Sequence, residues 1–137
     1  LSEIVFQQTR IDQGLAYYNR LIEKFPSIKE LADSEEKELL KLWEGLGYYS
    51  RARNLHFSAK KIMSDHGGVF PNNYAEILDL KGVGPYTAAA ISSIAFRLAV
   101  PAIDGNVLRV VSRLFLIKEP IDLRSTYKVI ERELTEL

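Results

Sequence analysis

Three groups of residues in this sequence have the types and spacing to do chemistry. The first is the turn Leu80-Lys81-Gly82-Val83-Gly84-Pro85. Two short helices joined by a Gly-X-Gly hairpin can turn several backbone N–H groups outward beside a helix N-terminus. Such a nest suits a phosphate, because donors and dipole point the same way and glycine lets the backbone approach closely. The plainer alternative is an ordinary helical connection whose glycines only supply positive φ. The second group is GLGYYSRARNLHFSAKK, where Tyr48 and Tyr49 precede Arg51, Arg53, Lys60 and Lys61. Aromatic rings beside cations suit a nucleic acid, since bases stack and phosphates pair. A solvated helix face with two partly buried tyrosines would give the same pattern. The third group is a pair of isolated acids. Glu3 lies among Leu1, Ile4, Val5 and Phe6, and Asp104 follows the apolar run Ala99–Ile103. A carboxylate in apolar company tends to a raised pKa and can serve as a general acid. Alternatively, Glu3 sits exposed on an amphipathic helix, and Asp104 belongs to a local turn with a helix cap at Asn106.

The elements that must position these residues are helical almost throughout, and no window shows sustained strand alternation. The pattern predicts a helix over Asp12–Phe25 with Leu15, Tyr18, Leu21, Ile22 and Phe25 on one stripe, stopped by Pro26. Ser27 and Ser34 are candidate caps for Ile28–Ala32 and Glu35–Glu44, the latter turning Leu39, Leu42 and Trp43 inward. A longer helix is expected over Tyr48–His66, with Leu55, Ile62 and Met63 buried, and Asn73 should cap Tyr74–Asp79. Pro85 then opens a helix apolar on nearly every side, which must be central. Val107–Ile117 and Arg124–Leu137 complete an all-α chain.

The 137 residues make one domain on length, and no shift of composition marks a second. Lys plus Arg and Asp plus Glu are 18 each, which excludes a polybasic tail but not a locally basic face. With 47% hydrophobic residues the chain is globular. The absence of cysteine excludes disulfides, cysteine nucleophiles and thiolate metal sites within the chain itself. No apolar run reaches a membrane span of roughly 18–20 residues, and no signal peptide opens the chain, so an intracellular protein, cytoplasmic and nucleoid-associated if bacterial, is expected. The sequence begins mid-pattern without methionine, as an excised segment of a longer protein would.

In order, LSE-x-x-x-QQT, GLGYYSRARNL, LKGVGPYTA and DGNV-x-RV resemble the helix-hairpin-helix glycosylases of base-excision repair, most nearly the MutY-type branch specific for adenine. The resemblance covers essentially the whole chain and implies a six-helix-barrel-like core. It places the catalytic acid on Glu3, which would protonate flipped adenine at N7 and help position the attacking water. Asp104 would stabilise the positive charge growing on the sugar, Tyr86 would hydrogen-bond in the same pocket, and Asn106 would support the Asp104 loop. Gln8 would fill the gap left in the duplex and Tyr48 would wedge beside the lesion base. Arg51, Gly82, Val83, Gly84 and Thr87 would contact DNA, with an alkali cation at the hairpin. The implied partner is a DNA duplex with an A:8-oxoguanine or A:G mispair, bound by a monomer.

The chemistry is coherent in itself. Breaking an N-glycosidic bond needs a better leaving group and a stabilised oxocarbenium-like sugar, met by one acid and one anion. The base must also leave the stack, and the hole must be filled. Endonuclease III-like bifunctional relatives carry a lysine where Tyr86 stands, and some MutY-like proteins carry one where Leu108 stands, so no lyase activity is expected from these positions. The family's four-cysteine [4Fe-4S] motif, its C-terminal lesion-reading domain and the helix before LSE are expected to lie outside this chain. The competing readings are a thymine or pyrimidine mismatch glycosylase and a non-catalytic helix-hairpin-helix DNA-binding module. Retention of both Glu3 and Asp104 argues against the second.

Overall fold

The computed structural model describes residues 1–136, and these form helices without any strand. Two compact units divide the chain between Val83 and Gly84. The first holds α1 (Ser2–Val5), α2 (Ile11–Lys24), α3 (Ile28–Asp33), α4 (Glu36–Leu42), α5 (Ser50–Asp65) and α6 (Tyr74–Leu78). The second holds α7 (Pro85–Phe96), α8 (Gly105–Leu114) and α9 (Arg124–Thr135). The all-α expectation therefore stands among the described residues.

In the first unit α5 packs against α1, α3 and α4. Val5, Leu21, Leu39, Trp43 and Ala52 interlock in its core, with Ile4, Phe25 and Leu46 at the margin. Burying side chains of this size stabilises by roughly 1.5–3 kcal/mol each. The indole N–H of Trp43 donates to the Gly47 carbonyl at 3.0 Å, so the largest core residue also fixes the turn before α5. Ser27 and Asn73 cap α3 and α6 as expected, accepting from the Glu30 and Glu76 amides.

Several boundaries differ from the sequence pattern. Ser34 does not cap α4; its hydroxyl donates back to the Leu31 carbonyl, and Glu35 opens the helix without a side-chain cap. Leu15 and Ile22 lie exposed, so the buried stripe of α2 is narrower than predicted. The long helix starts at Ser50 rather than Tyr48, because Tyr48 has φ +49°, a left-handed conformation foreign to an α-helix.

In the second unit Ile103, Val111 and Ile130 form a smaller core with Val107, Leu108, Tyr127 and Leu134 around it. The central-helix expectation for α7 holds only for its middle turns. Thr87, Ala88, Ala89, Ala90 and Ser92 are buried, whereas Ile94 is exposed. Helix α7 ends where Arg97 turns left-handed, with its amide and that of Leu98 returning to the Ser93 and Ser92 carbonyls. Helix α8 likewise leaves Val110 and Leu114 exposed and stops before the predicted Ile117.

Candidate functional site

Helix α5 organises the candidate residues of the first unit through one polar stripe. Arg51, Asn54 and Ser58 follow at i, i+3 and i+7, so they share a face. Arg51 is 7% exposed, and the expectation of a surface cation for phosphate is corrected by that burial. The two N–H groups of its Nη1 are shared among the carbonyls of Ile4, Val5 and Gln7 at 3.2, 2.8 and 2.6 Å and the Thr9 hydroxyl at 3.1 Å. Nη2 reaches the carbonyls of Leu46 and Gly47 at 3.5 and 3.3 Å. The guanidinium also lies 5.3 Å from the Trp43 ring centre and 5.6 Å from that of Tyr48. Loss of water pushes its pKa down, although arginine remains charged.

The segments so held carry three candidates. Glu3 is half-buried in the first turn of α1, next to buried Ile4 and Val5. Gln8 is exposed at φ +52°, and Tyr48 is 63% exposed at φ +49°. Left-handed backbone is uncommon in residues other than glycine and marks a place where surroundings dictate conformation. Both side chains are thus presented outward from turns whose inner carbonyls Arg51 takes.

Farther along α5, Ser58 donates to the Lys81 carbonyl at 3.1 Å. The Asn54 side chain fills the place of a Cβ on Gly82, with its atoms 2.8 Å from that position. Gly82 has φ +81°, so it needs glycine for both backbone and space. The plain reading of the hairpin glycines therefore accounts for Gly82 but not Gly84. Gly84 has φ −89° and ψ 174°, open to any residue, and nothing stands within 4 Å of its missing Cβ. A bare position there leaves the N-terminus of α7 uncovered.

The amide of Val83 closes the turn onto Leu80, and its half-buried side chain packs on the first core, so Val83 offers no free donor. Thr87 is buried, so its side chain is not a surface contact. The amides of Gly84 and Tyr86 have no partner among the described residues and stand at the positive end of α7. Tyr86 itself is exposed.

Asp104, in the second unit, is itself the N-cap of α8, and the expectation of a cap at Asn106 is corrected. One carboxylate oxygen accepts from the Asn106 and Val107 amides at 2.9 and 2.8 Å, and the other accepts from the Asn106 side chain at 2.9 Å. Arg109 donates to the Asn106 carbonyl oxygen, completing a chain from cation to amide to carboxylate. The expectation of a raised pKa fails here. The Val107 amide above all, then Asn106 and the charge of Arg109, hold the Asp104 carboxyl below its ordinary value. Asp104 is a stable anion. Asn106 bonds to it through both its main-chain and side-chain nitrogens.

The basic cluster dissolves on inspection. Arg51 is internal, Arg53 pairs with Glu36 at 3.3 Å, and Lys61 pairs with Asp79 and Asp65 at 2.9 and 3.3 Å. Lys60 alone remains an exposed cation without an ion pair among the described residues. No group of three or more metal-ligating side chains occurs among those residues. Sequence reading missed Asn54 and Ser58, whose signal was a polar pair four residues apart on an otherwise packed helix face.

Residues 1–137 match the family described as HhH-GPD superfamily base excision DNA repair protein. The chain is 46% identical over 117 residues to the adenine DNA glycosylase of Buchnera aphidicola subsp. Baizongia pistaciae, covering 85% of this chain and 33% of that protein. It is 46% identical over 115 residues to the Mus musculus adenine DNA glycosylase, covering 82% and 22%. The chain thus spans about a third or less of the length of these two curated relatives. Among solved structures, a thermostable thymine-DNA glycosylase superposes with TM-score 0.85 at 28% identity, covering 98% of this chain and 62% of the other.

Proposed function

Because the chain belongs to the HhH-GPD superfamily of base excision DNA repair proteins, we propose that its protein is a monofunctional glycosylase removing adenine mispaired with 8-oxoguanine or guanine. The observation that carries the catalytic reading is Asp104, a carboxylate held ionised by three hydrogen bonds at a helix N-terminus. An anion fixed in this way needs no reorganisation when positive charge develops on the sugar, which is how electrostatic preorganisation lowers a barrier.

In the proposed reaction the target adenosine leaves the stack, Gln8 occupies the vacated space and Tyr48 wedges beside it. Glu3 transfers its proton to N7 of adenine as the C1′–N9 bond breaks, so the base departs neutral rather than as an anion. The glutamate is then a carboxylate able to accept a proton from the water that attacks C1′, returning to its starting state. Asp104 would stabilise the positive charge on the sugar between these steps, and the Tyr86 hydroxyl would hydrogen-bond to the substrate. The Gly84 and Tyr86 amides would hold a backbone phosphate at the start of α7.

The hairpin carbonyls of Leu80, Lys81 and Gly82 each accept one donor and keep a second lone pair, the last through a long 3.5 Å contact from Gln7. Neutral hard oxygens of this kind suit an alkali cation, which would rigidify the turn. A [4Fe-4S] cluster finds no ligand here, since the chain has no cysteine, and we assign it to other parts of the protein.

The thymine-mismatch reading is supported by the fold similarity at 28% identity, against 46% for the adenine relatives. Single-turnover excision by the intact protein on A:8-oxoguanine and T:G duplexes decides between them. Adenine release alone supports the proposal, thymine release replaces it with the alternative, and release of neither from a protein that binds both leaves a DNA-binding module.

A further inference from the structure

We propose that Arg51 is a positioning residue that sets three segments in register through one buried guanidinium: α1 with Glu3, the Gln8 turn and the Tyr48 turn. The inference rests on the roles proposed above for Gln8 and Tyr48.

The geometry is unusual for a structural ion. Arg51 has no carboxylate partner among the described residues; its acceptors are five main-chain carbonyls and one hydroxyl drawn from two segments far apart in sequence. Taking a cation out of water is costly, and a packed apolar side chain is often as stabilising. What an apolar side chain cannot do is gather main-chain carbonyls of both segments around one group. A planar fork with fixed donor directions does so. The acceptors also sit at telling places. The carbonyls of Gln7 and Gly47 immediately precede the two left-handed residues, Gln8 and Tyr48. Without that anchor each residue is free to relax to negative φ, which re-aims its side chain away from the duplex. The carbonyls of Ile4 and Val5 lie in the last turn of α1, so the same guanidinium fixes the height of Glu3. The Tyr48 ring against the guanidinium adds a direct contact to one of the residues it positions.

The test uses the intact protein with Arg51→Lys and Arg51→Met, each alone and combined with Gln8→Ala or Tyr48→Ala. Lysine keeps the charge but not the fork. Arg51→Lys should retain helical circular dichroism and bind matched duplex within about threefold of native, because phosphate contacts are sequence-independent. Single-turnover adenine excision should fall by roughly 100-fold, the scale expected of a small misplacement. Gln8→Ala and Tyr48→Ala, each costly in the native protein, should add less than about twofold in either Arg51 variant, since side chains already misaimed have nothing left to lose. Multiplicative losses would overturn the inference while leaving the wedge roles intact. Harmless Gln8→Ala and Tyr48→Ala in the native protein would instead remove the wedge reading on which it rests. A second measurement does not depend on the variants folding. Nitrogen-15 spectra of the native protein should show separate, slowly exchanging Nη protons for Arg51, and one averaged, fast-exchanging signal would overturn the proposal.

Discussion

Replacing Asp104 by asparagine separates the two things its carboxylate does. Asparagine caps a helix about as well as aspartate, so α8 should persist. The negative charge is lost, and single-turnover excision should fall by about 10²–10³-fold, as when a preorganised electrostatic group is removed. Equal losses of excision and melting temperature would show that Asp104 is a cap and nothing more. The sign of its pH dependence follows from its depressed pKa. Its stabilising contribution is complete above the unfolded value of about 3.9 and disappears as pH falls through the lower folded value. Melting temperature between pH 5 and 2 should therefore drop more steeply for the native protein than for Asp104→Asn. For Glu3→Gln the expectation is different: loss of excision by at least about 10²–10⁴-fold with duplex binding preserved. A variant within threefold of native would remove Glu3 from the mechanism. That both acids stand in apolar stretches was legible in the sequence, but for Asp104 that context pointed to a raised pKa where the structure lowers it. Apolar neighbours along the chain suggested desolvation, whereas the Gly105-Asn106-Val107 turn brings donors back onto the carboxylate.

At the scale of elements the hairpin offers a contrast between its two glycines. Gly82→Ala combines left-handed φ with a clash on Asn54 and should destabilise measurably, while Gly84→Ala should fold normally. Gly84→Asp then tests function without a folding penalty. A carboxylate at the uncovered start of α7 should weaken binding to matched and mismatched duplexes alike, because a phosphate contact carries little base information. Selective loss on mismatches would mean that the turn reads a base. Ser27→Ala gives a local control, with a cost of about 1 kcal/mol in thermal or denaturant unfolding and no effect on DNA binding. Caps such as Ser27 and Asn73 were legible because their donors lie three residues away in the chain. The inward turn of Arg51 was not, since most of its acceptors lie more than forty residues distant.

For the whole molecule the balance of charge has a measurable reflection. Formal charge is zero, and Arg53 and Lys61 are engaged by acids while Arg51 is internal. Phosphate recognition at the hairpin would rely on neutral amides, which displace few counterions, with exposed Lys81 as the one cation of the turn. The dependence of log K on log salt should therefore be shallow for this chain, with a slope no steeper than about −3, against roughly −0.9 per phosphate neutralised by a cation. Fluorescence anisotropy between 50 and 200 mM salt measures it, and a slope near −6 would reveal a cationic face that these ion pairs do not leave available. The two-unit division at the hairpin was not legible, because neither composition nor charge changes across Val83 and Gly84.

The guanidinium of Arg51 also sets an order of events in folding. Its contacts to Leu46 and Gly47 are local, but those to Ile4 and Thr9 close loops of 47 and 42 residues. A cation cannot shed its water until those oxygens arrive, so the docking of Ile4 and Val5 that completes the core around Trp43 is expected to come late. Arg51→Lys should accordingly accelerate unfolding more than it slows refolding. The amides of Phe6 and Thr9 should exchange through a local opening well below the global unfolding free energy. That opening carries Glu3 with it. The opening of this segment and the alignment of its proposed acid are then a single equilibrium, and hydrogen exchange at these amides reports how often the molecule stands ready to react.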